Sequence, residues 1–184
     1  MRKAFLDACV LYPTVLREIL TGCAAAGLYR PLWSPRVLEE WARAARKLPG
    51  GEEIARGEIA ALRVRFPAAE VRPGEGTEAR MWLPDPDDVH VLAAASDAGA
   101  DVLVTLNIRD FPRADVAAEG MALSNPDAFL MDLWLIAPEP VAGVLESVRA
   151  TAERLSGTEQ PMRSLLKRSR LPRLGKALGA GGFN

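Results

Sequence analysis

Apolar residues recur at two spacings that alternate along most of the chain. Ala4-Phe-Leu-Asp-Ala8 is a short run of the buried-strand kind, and it ends in a carboxylate, Asp7. After Pro13, residues Val15, Leu16, Ile19, Leu20 and Cys23 return at helical spacing and predict a helix ending near Gly27. Ser34-Pro35 reads as a Ser cap with Pro at the first helical position, followed by a stripe of Val37, Leu38, Trp41, Ala44, Ala45 and Leu48. A further helix spans Gly51 to Phe66 and stops at Pro67, Glu70-Val-Arg72 is a candidate short strand, and Gly74-Glu-Gly-Thr77 is a loop. Asp85 reads as an N-cap ahead of Pro86, opening a helix that runs to about Ala98 and stops at Gly99. Val102-Leu-Val-Thr105 is a buried strand and Met121-Ala-Leu123 a final one. Strand, turn and helix in succession are the beginning of a βαβ unit, so the expected class is α/β.

Beyond that point the pattern turns wholly helical. Asn125-Pro126 starts a helix carrying Phe129, Leu130, Leu133 and Trp134, and a second covers about Val141 to Leu155. The expected division is therefore a first domain over residues 1–125 and a small helical C-terminal extension over 126–184, with a basic, loosely ordered end and fraying from Gly179 to Asn184.

Composition narrows the function classes. With 184 residues and 49% apolar content the chain can bury a real core, and a formal net charge of −1 argues against a generic nucleic-acid coat protein. The single His disfavours His-based zinc sites and Ser-His-Asp catalysis. Cys9 and Cys23, in an apparent strand and a helix, lack metal spacing and read as reduced core residues of a cytoplasmic protein. No apolar run approaches the ~20 residues of a membrane span, and no signal peptide is expected.

What remains conspicuous is the placing of the acids. Asp7 follows the first strand, Glu40 lies on a helix, Asp85, Asp87 and Asp88 open another, and Asp110 follows a later strand. In open α/β sheets, ligands bind outside the strands' C-terminal ends. Carboxylates converging there would repel one another, and a hard divalent cation resolves the repulsion: Mg²⁺ or Mn²⁺ takes oxygen ligands and can activate water against a phosphodiester. Each acid also has a bland reading. Asp7 could cap the next segment, Glu40 could pair with Arg36 or Arg43, and Asp85 and Asp88 could cap helix N–H groups. Glu39 points away from its stripe as a solvated acid, and Asp85 and Asp87 are expected as capping and solvated acids. His90 is expected to be packed or on the surface rather than a base. Trp33, Trp41, Trp82 and Trp134 have apolar neighbours that favour core or interface burial over base stacking. Arg109 could meet substrate phosphate or simply face solvent.

Four stretches together carry a resemblance. Phe5-Leu-Asp-Ala-Cys-Val-Leu-Tyr-Pro13, Ser34-Pro-Arg-Val-Leu-Glu-Glu-Trp-Ala-Arg43, Pro84-Asp-Pro-Asp-Asp-Val-His-Val-Leu-Ala-Ala-Ala95 and Val104-Thr-Leu-Asn-Ile-Arg-Asp-Phe-Pro112 resemble, in order, the motif blocks of PIN-domain proteins, metal-dependent nucleases that include the VapC toxins of bacterial toxin–antitoxin pairs. The resemblance covers about residues 1–125 and implies a parallel sheet with helices on both faces. It also implies an endoribonuclease, a hydrolase with Mg²⁺ or Mn²⁺ held by Asp7, Asp88 and Asp110. Glu40 would complete the cluster or orient the attacking water. Thr105 would add a hydroxyl contact, and Asn107 stands where many relatives carry another Asp. The implied partners are RNA, a cognate antitoxin and a second copy of the chain; no membrane is implied. The extension resembles that of some longer PIN proteins, and its basic end reads equally as an RNA-backbone grip or as a solvated helix end. Two rivals stand beside this reading. One is a non-catalytic RNA- or protein-binding PIN module, kept open by Asn107. The other is a Mg²⁺-dependent phosphoryl enzyme, which no phosphate-cradling Gly-rich loop supports.

Overall fold

The structure, a computed structural model, describes residues 1–180 and falls into two compact units. The first comprises Met1–Tyr12 and Tyr29–Ser124, and the second Pro13–Leu28 with the chain from Asn125 onward. Residues 13–28, read from the sequence as part of the first domain, thus fold with the C-terminal helices.

The first unit is built on four parallel strands: β1 (Lys3–Leu6), β2 (Arg30–Leu32), β3 (Val102–Val104) and β4 (Ala122–Ser124), in the order β2-β1-β3-β4. Its helices are α1 (Ala8–Leu11), α3 (Pro35–Ala45), α4 (Gly51–Arg65), α5 (Val89–Asp97) and α6 (Arg113–Ala118). The fold class is α/β. Successive residues Ala4, Phe5 and Leu6, and likewise Val102, Leu103 and Val104, are all fully buried, so β1 and β3 are covered on both faces, as parallel strands must be. The chain passes from β1 to β2 on one side and later to β3 on the other. The strand order therefore reverses between β1 and β3.

Local chemistry accounts for most boundaries. Ser34 accepts a hydrogen bond from the Val37 N–H and caps α3, with Pro35 at its first position. Gly99, at φ +60°, ends the α5 segment, and the Lys3 ammonium donates to the Ala98 carbonyl. Four expectations are corrected. Residues 70–72 form a single bridge from Glu70 to Trp33 rather than a strand, since Pro67 and Pro73 flank them closely. Leu48 lies beyond the last turn of α3 and is exposed. Trp33, Trp41 and Trp134 are buried, but Trp82 is 72% exposed: it sits in a loop that turns Leu83 inward instead. Cys9 belongs to α1, not to a strand.

The second unit contains α2 (Thr14–Ala25), α7 (Pro126–Ile136), α8 (Pro138–Ser156), α9 (Met162–Arg168) and α10 (Pro172–Ala180). Leu16, Ile19, Leu20 and Cys23 on α2, Val141 and Leu145 on α8, and Phe129 and Leu130 on α7 are buried. Gly22 lets α2 approach α8 closely: a Cβ there would stand 2.6 Å from Val144 Cγ1. The end expected to be loosely ordered is two helices, because Leu165, Leu166, Leu171, Leu174 and Leu178 all find burial. Asp127 on α7 fixes them further, accepting from the N–H groups of Arg173 and Leu174 in the first turn of α10. The fraying expected from Gly179 to Asn184 falls partly outside the described residues; Gly179 itself lies in α10. Among the described residues no helix is long and apolar enough to cross a membrane.

Candidate active site

The reversal of strand order fixes where two sequence-distant segments meet. The parallel register sets Leu6 opposite Val104, so the residues that follow, Asp7 and Thr105, leave the sheet side by side. Asp7 caps α1 and is 4% exposed. One carboxylate oxygen accepts from the Ala8 N–H at 2.6 Å. The other accepts from the Thr105 hydroxyl at 2.7 Å and from the Cys9 thiol at 3.0 Å. The Thr105 oxygen in turn accepts from the Asn107 N–H, and Cys9 Sγ from the Leu106 N–H. Burial, reinforced by the negative charge of Asp7, pushes the Cys9 thiol up to about 12, so it keeps its proton and serves Asp7 as a donor. A carboxylate has about four acceptor positions, so three donors leave Asp7 with about one free.

Asp88 ends a 3-10 turn over Pro86–Asp88, and its side chain caps nothing. The capping role belongs to Asp85, which accepts from the Asp87 N–H at 2.9 Å. Asp87 is exposed. Burial raises the Asp88 carboxyl to about 6, and the negative charges of Asp7, Asp85 and Asp110 add to the rise while His90 opposes it. Asp88 thus lies within the field of both acids that follow the central strands. Asp110 is partly exposed at the end of a 3-10 turn over Ile108–Asp110. Asn107 and Arg109 are exposed, and the Asn107 side chain caps nothing.

Glu40 lies on α3. Its Oε1 lies 2.7 Å from His90 Nε2 and 3.6 Å from Arg36 Nε. His90 is 2% exposed, and neither ring nitrogen has an aligned hydrogen-bond partner, so its approach to Glu40 is a close contact rather than a directed bond. Of the two cations weighed for Glu40, Arg36 is its partner; Arg43 turns to Glu39, which also holds Arg56. The structure brings together Asp7, Thr105 and Cys9 by hydrogen bonds, and Asp88 with Asp7 and Asp110 by charge. Cys9 is the member that sequence reasoning missed. Its signal was its place two residues after a capping Asp, within reach of the neighbouring strand's exit.

Among the described residues no three His, Cys, Asp or Glu side chains converge tightly enough to form a ready-made metal cage. Asp7 is already largely engaged by donors. The chemistry of the set is nevertheless that of a hard divalent cation: oxygen donors of one sign at a sheet switch point, without thiolate or imidazole ligands.

Residues 3–109 match the family model of the PIN domain. The chain belongs to the PIN-domain family. No curated protein and no solved structure matches it. PIN domains are typically nucleases that bind RNA and use divalent metal ions, so a nuclease-type, hydrolytic fold is the coarse functional assignment. The matched PIN span contains Asp7, Glu40 and Asp88, and Asp110 follows its last residue directly.

Proposed function

We propose that this PIN domain is a Mg²⁺- or Mn²⁺-dependent endoribonuclease whose site comprises Asp7, Glu40, Asp88 and Asp110. The observation that carries the proposal is the β1–β3 register, which brings Asp7 and Thr105 side by side out of the central strands; in support, burial and the negative charges of Asp7, Asp85 and Asp110 raise the Asp88 carboxyl to about 6. Asp7, Asp88 and Asp110 are the residues to hold the cation, with about one acceptor position of Asp7 still free for it. Such an ion, when bound, supplies an acidified water and a polarised phosphoryl group. The chain's own contributions are positional. Thr105, Cys9 and the Ala8 N–H hold the Asp7 carboxylate in one orientation. Glu40, against His90, takes the role of orienting the attacking water. Arg109, exposed and without an ion-pair partner among the described residues, is suited to a substrate phosphate. Asn107 supplies a neutral oxygen where a fifth carboxylate would raise the local charge further.

The wider role proposed is the toxin of a toxin–antitoxin pair, a cytoplasmic homodimer held inactive by a small cognate antitoxin. Supporting it are the four motif blocks, the two unpaired thiols, and the exposed Leu135 and Ile136 at the end of α7 as apolar surface for a second copy. The domain assignment proposed is a PIN nuclease over 1–125 with a C-terminal extension over 126–184. A mixed RNA pool incubated with the purified protein in Mg²⁺, Mn²⁺ or EDTA tests the reading. Cleavage is expected with metal only, and Asp7→Asn at unchanged thermal stability is expected to abolish it; full activity in that variant refutes the site. A second reading, a non-catalytic RNA- or protein-binding module, is favoured by Asn107 and by the three donors already on Asp7. Calorimetric titration with Mn²⁺ separates the two, since the module predicts no binding at millimolar metal.

A further inference from the structure

We infer that the α9–α10 hairpin is a second RNA-binding surface, one that grips the phosphodiester backbone of single-stranded RNA without reading its sequence. The inference rests on the ribonuclease reading for its ligand class. Its own evidence lies in the second unit.

The charge of the chain is unevenly divided. Six of its 23 basic residues, and none of its 24 acidic ones, lie beyond Glu159, which leaves the first 159 residues at a formal −7 and the remainder at +6. An acidic body carrying a carboxylate site repels a polyanion, so productive association needs positive charge elsewhere on the chain. The hairpin supplies it in ordered form. Its leucines at 165, 166, 171, 174 and 178 are buried, whereas Arg163, Lys167, Arg168, Arg170, Arg173 and Lys176 are all exposed.

Those cations differ from many of the arginines elsewhere. Arg43, Arg46, Arg56, Arg63, Arg80 and Arg149 each bind a glutamate, so their charge is neutralised locally. Among the described residues none of the six on the hairpin has a carboxylate partner; Arg168 alone has a side-chain hydrogen bond, to the neutral Gln160. Asp127 is the one acid shown bonded to the hairpin, and its carboxylate is taken up by backbone N–H groups rather than by the cations. What results is uncompensated positive charge on a rigid apolar base, with flexible Lys and Arg side chains. Such a surface suits phosphate and carries no base-specific geometry.

The test reads binding by anisotropy of fluorescein-labelled single-stranded RNA on the full chain in EDTA, where nothing is cut. The triple variant Arg163→Gln/Lys167→Gln/Lys176→Gln should lose at least about tenfold in affinity near 0.1 M salt, and its slope of log K against log salt should shrink by about 2. Neutralising Arg168, Arg170 and Arg173 should do the same, which guards against a folding artefact in either set. Neutralising Arg43, Arg63 and Arg149 changes the net charge equally and should leave the slope unchanged. Equal loss in this control, no loss in the hairpin variants, or no RNA binding by the unaltered chain overturns the inference. So does unchanged RNA binding with loss of an acidic protein partner. Failure of the nuclease reading is separately visible, as intact hairpin-dependent binding with no cleavage in Mg²⁺ or Mn²⁺.

Discussion

Asp88→Asn should make the metal-free protein more stable at neutral pH. In the folded chain the carboxyl is raised from 3.8 to about 6 by burial and by Asp7, Asp85 and Asp110, so the native state holds its proton longer than the unfolded state does. For an acid raised in this way, the stabilisation is complete below about pH 4 and is lost as pH climbs through about 6. Two units correspond to about 3 kcal/mol at full strength, and the partial exposure of Asp88 reduces that by solvent screening to about 1 kcal/mol. Asn carries no charge at any pH and escapes this loss. In EDTA its melting temperature should match the unaltered protein below about pH 4 and exceed it by about 2–4 °C at about pH 8. The other acids titrate in both proteins and largely cancel in the difference. Saturating Mn²⁺ should reverse the ranking, because a ligand at a hundred times its dissociation constant stabilises by about 2.7 kcal/mol and the variant has lost one ligand. A difference that is flat with pH, or a variant less stable at pH 8 in EDTA, refutes the electrostatic account of the site.

Two further outcomes probe the helical unit. Gly22→Ala should destabilise by about 1–2 kcal/mol in urea unfolding despite the better helix propensity of Ala, because its Cβ meets Val144 Cγ1, and Val144→Ala should recover part of the loss in the double variant. Asp127→Ala strands two N–H groups at the start of α10 and should cost about 1–3 kcal/mol, with amide exchange of Arg173 and Leu174 accelerated.

Several elements were legible from the chain because local chemistry and tertiary packing agree there. The Ser34-Pro35 start of α3, the Asp85-Pro86 turn and the Val102–Val104 strand are cases where cap, periodicity and burial coincide. Strand β2 was not, because Pro31 stands in its middle and lacks an N–H; the strand is tolerated at the edge of the sheet, paired on one side to β1. Helix α1 escaped notice because four residues are too few to show a period, and with it went the thiol of Cys9 beside Asp7. Trp82 looked apolar in company yet faces solvent, since an extended loop alternates its sides and Leu83 claims the inward one. The acids at the strand ends could be named in order, but which carboxylate meets which donor depended on the β1–β3 register.

The partnership of α2 with α8 also governs how the chain must be made. Leu16, Ile19, Leu20 and Cys23 leave the ribosome early, while Val144, against which Gly22 rests, is still untranslated. At about 5–20 residues per second, α2 waits on the order of 10 s for its counterpart, with an apolar face lacking its native cover. During that interval the nascent protein is a client for whatever shields hydrophobic surface in the cell. A message interrupted after codon 125 releases a product whose second helix never meets its mate.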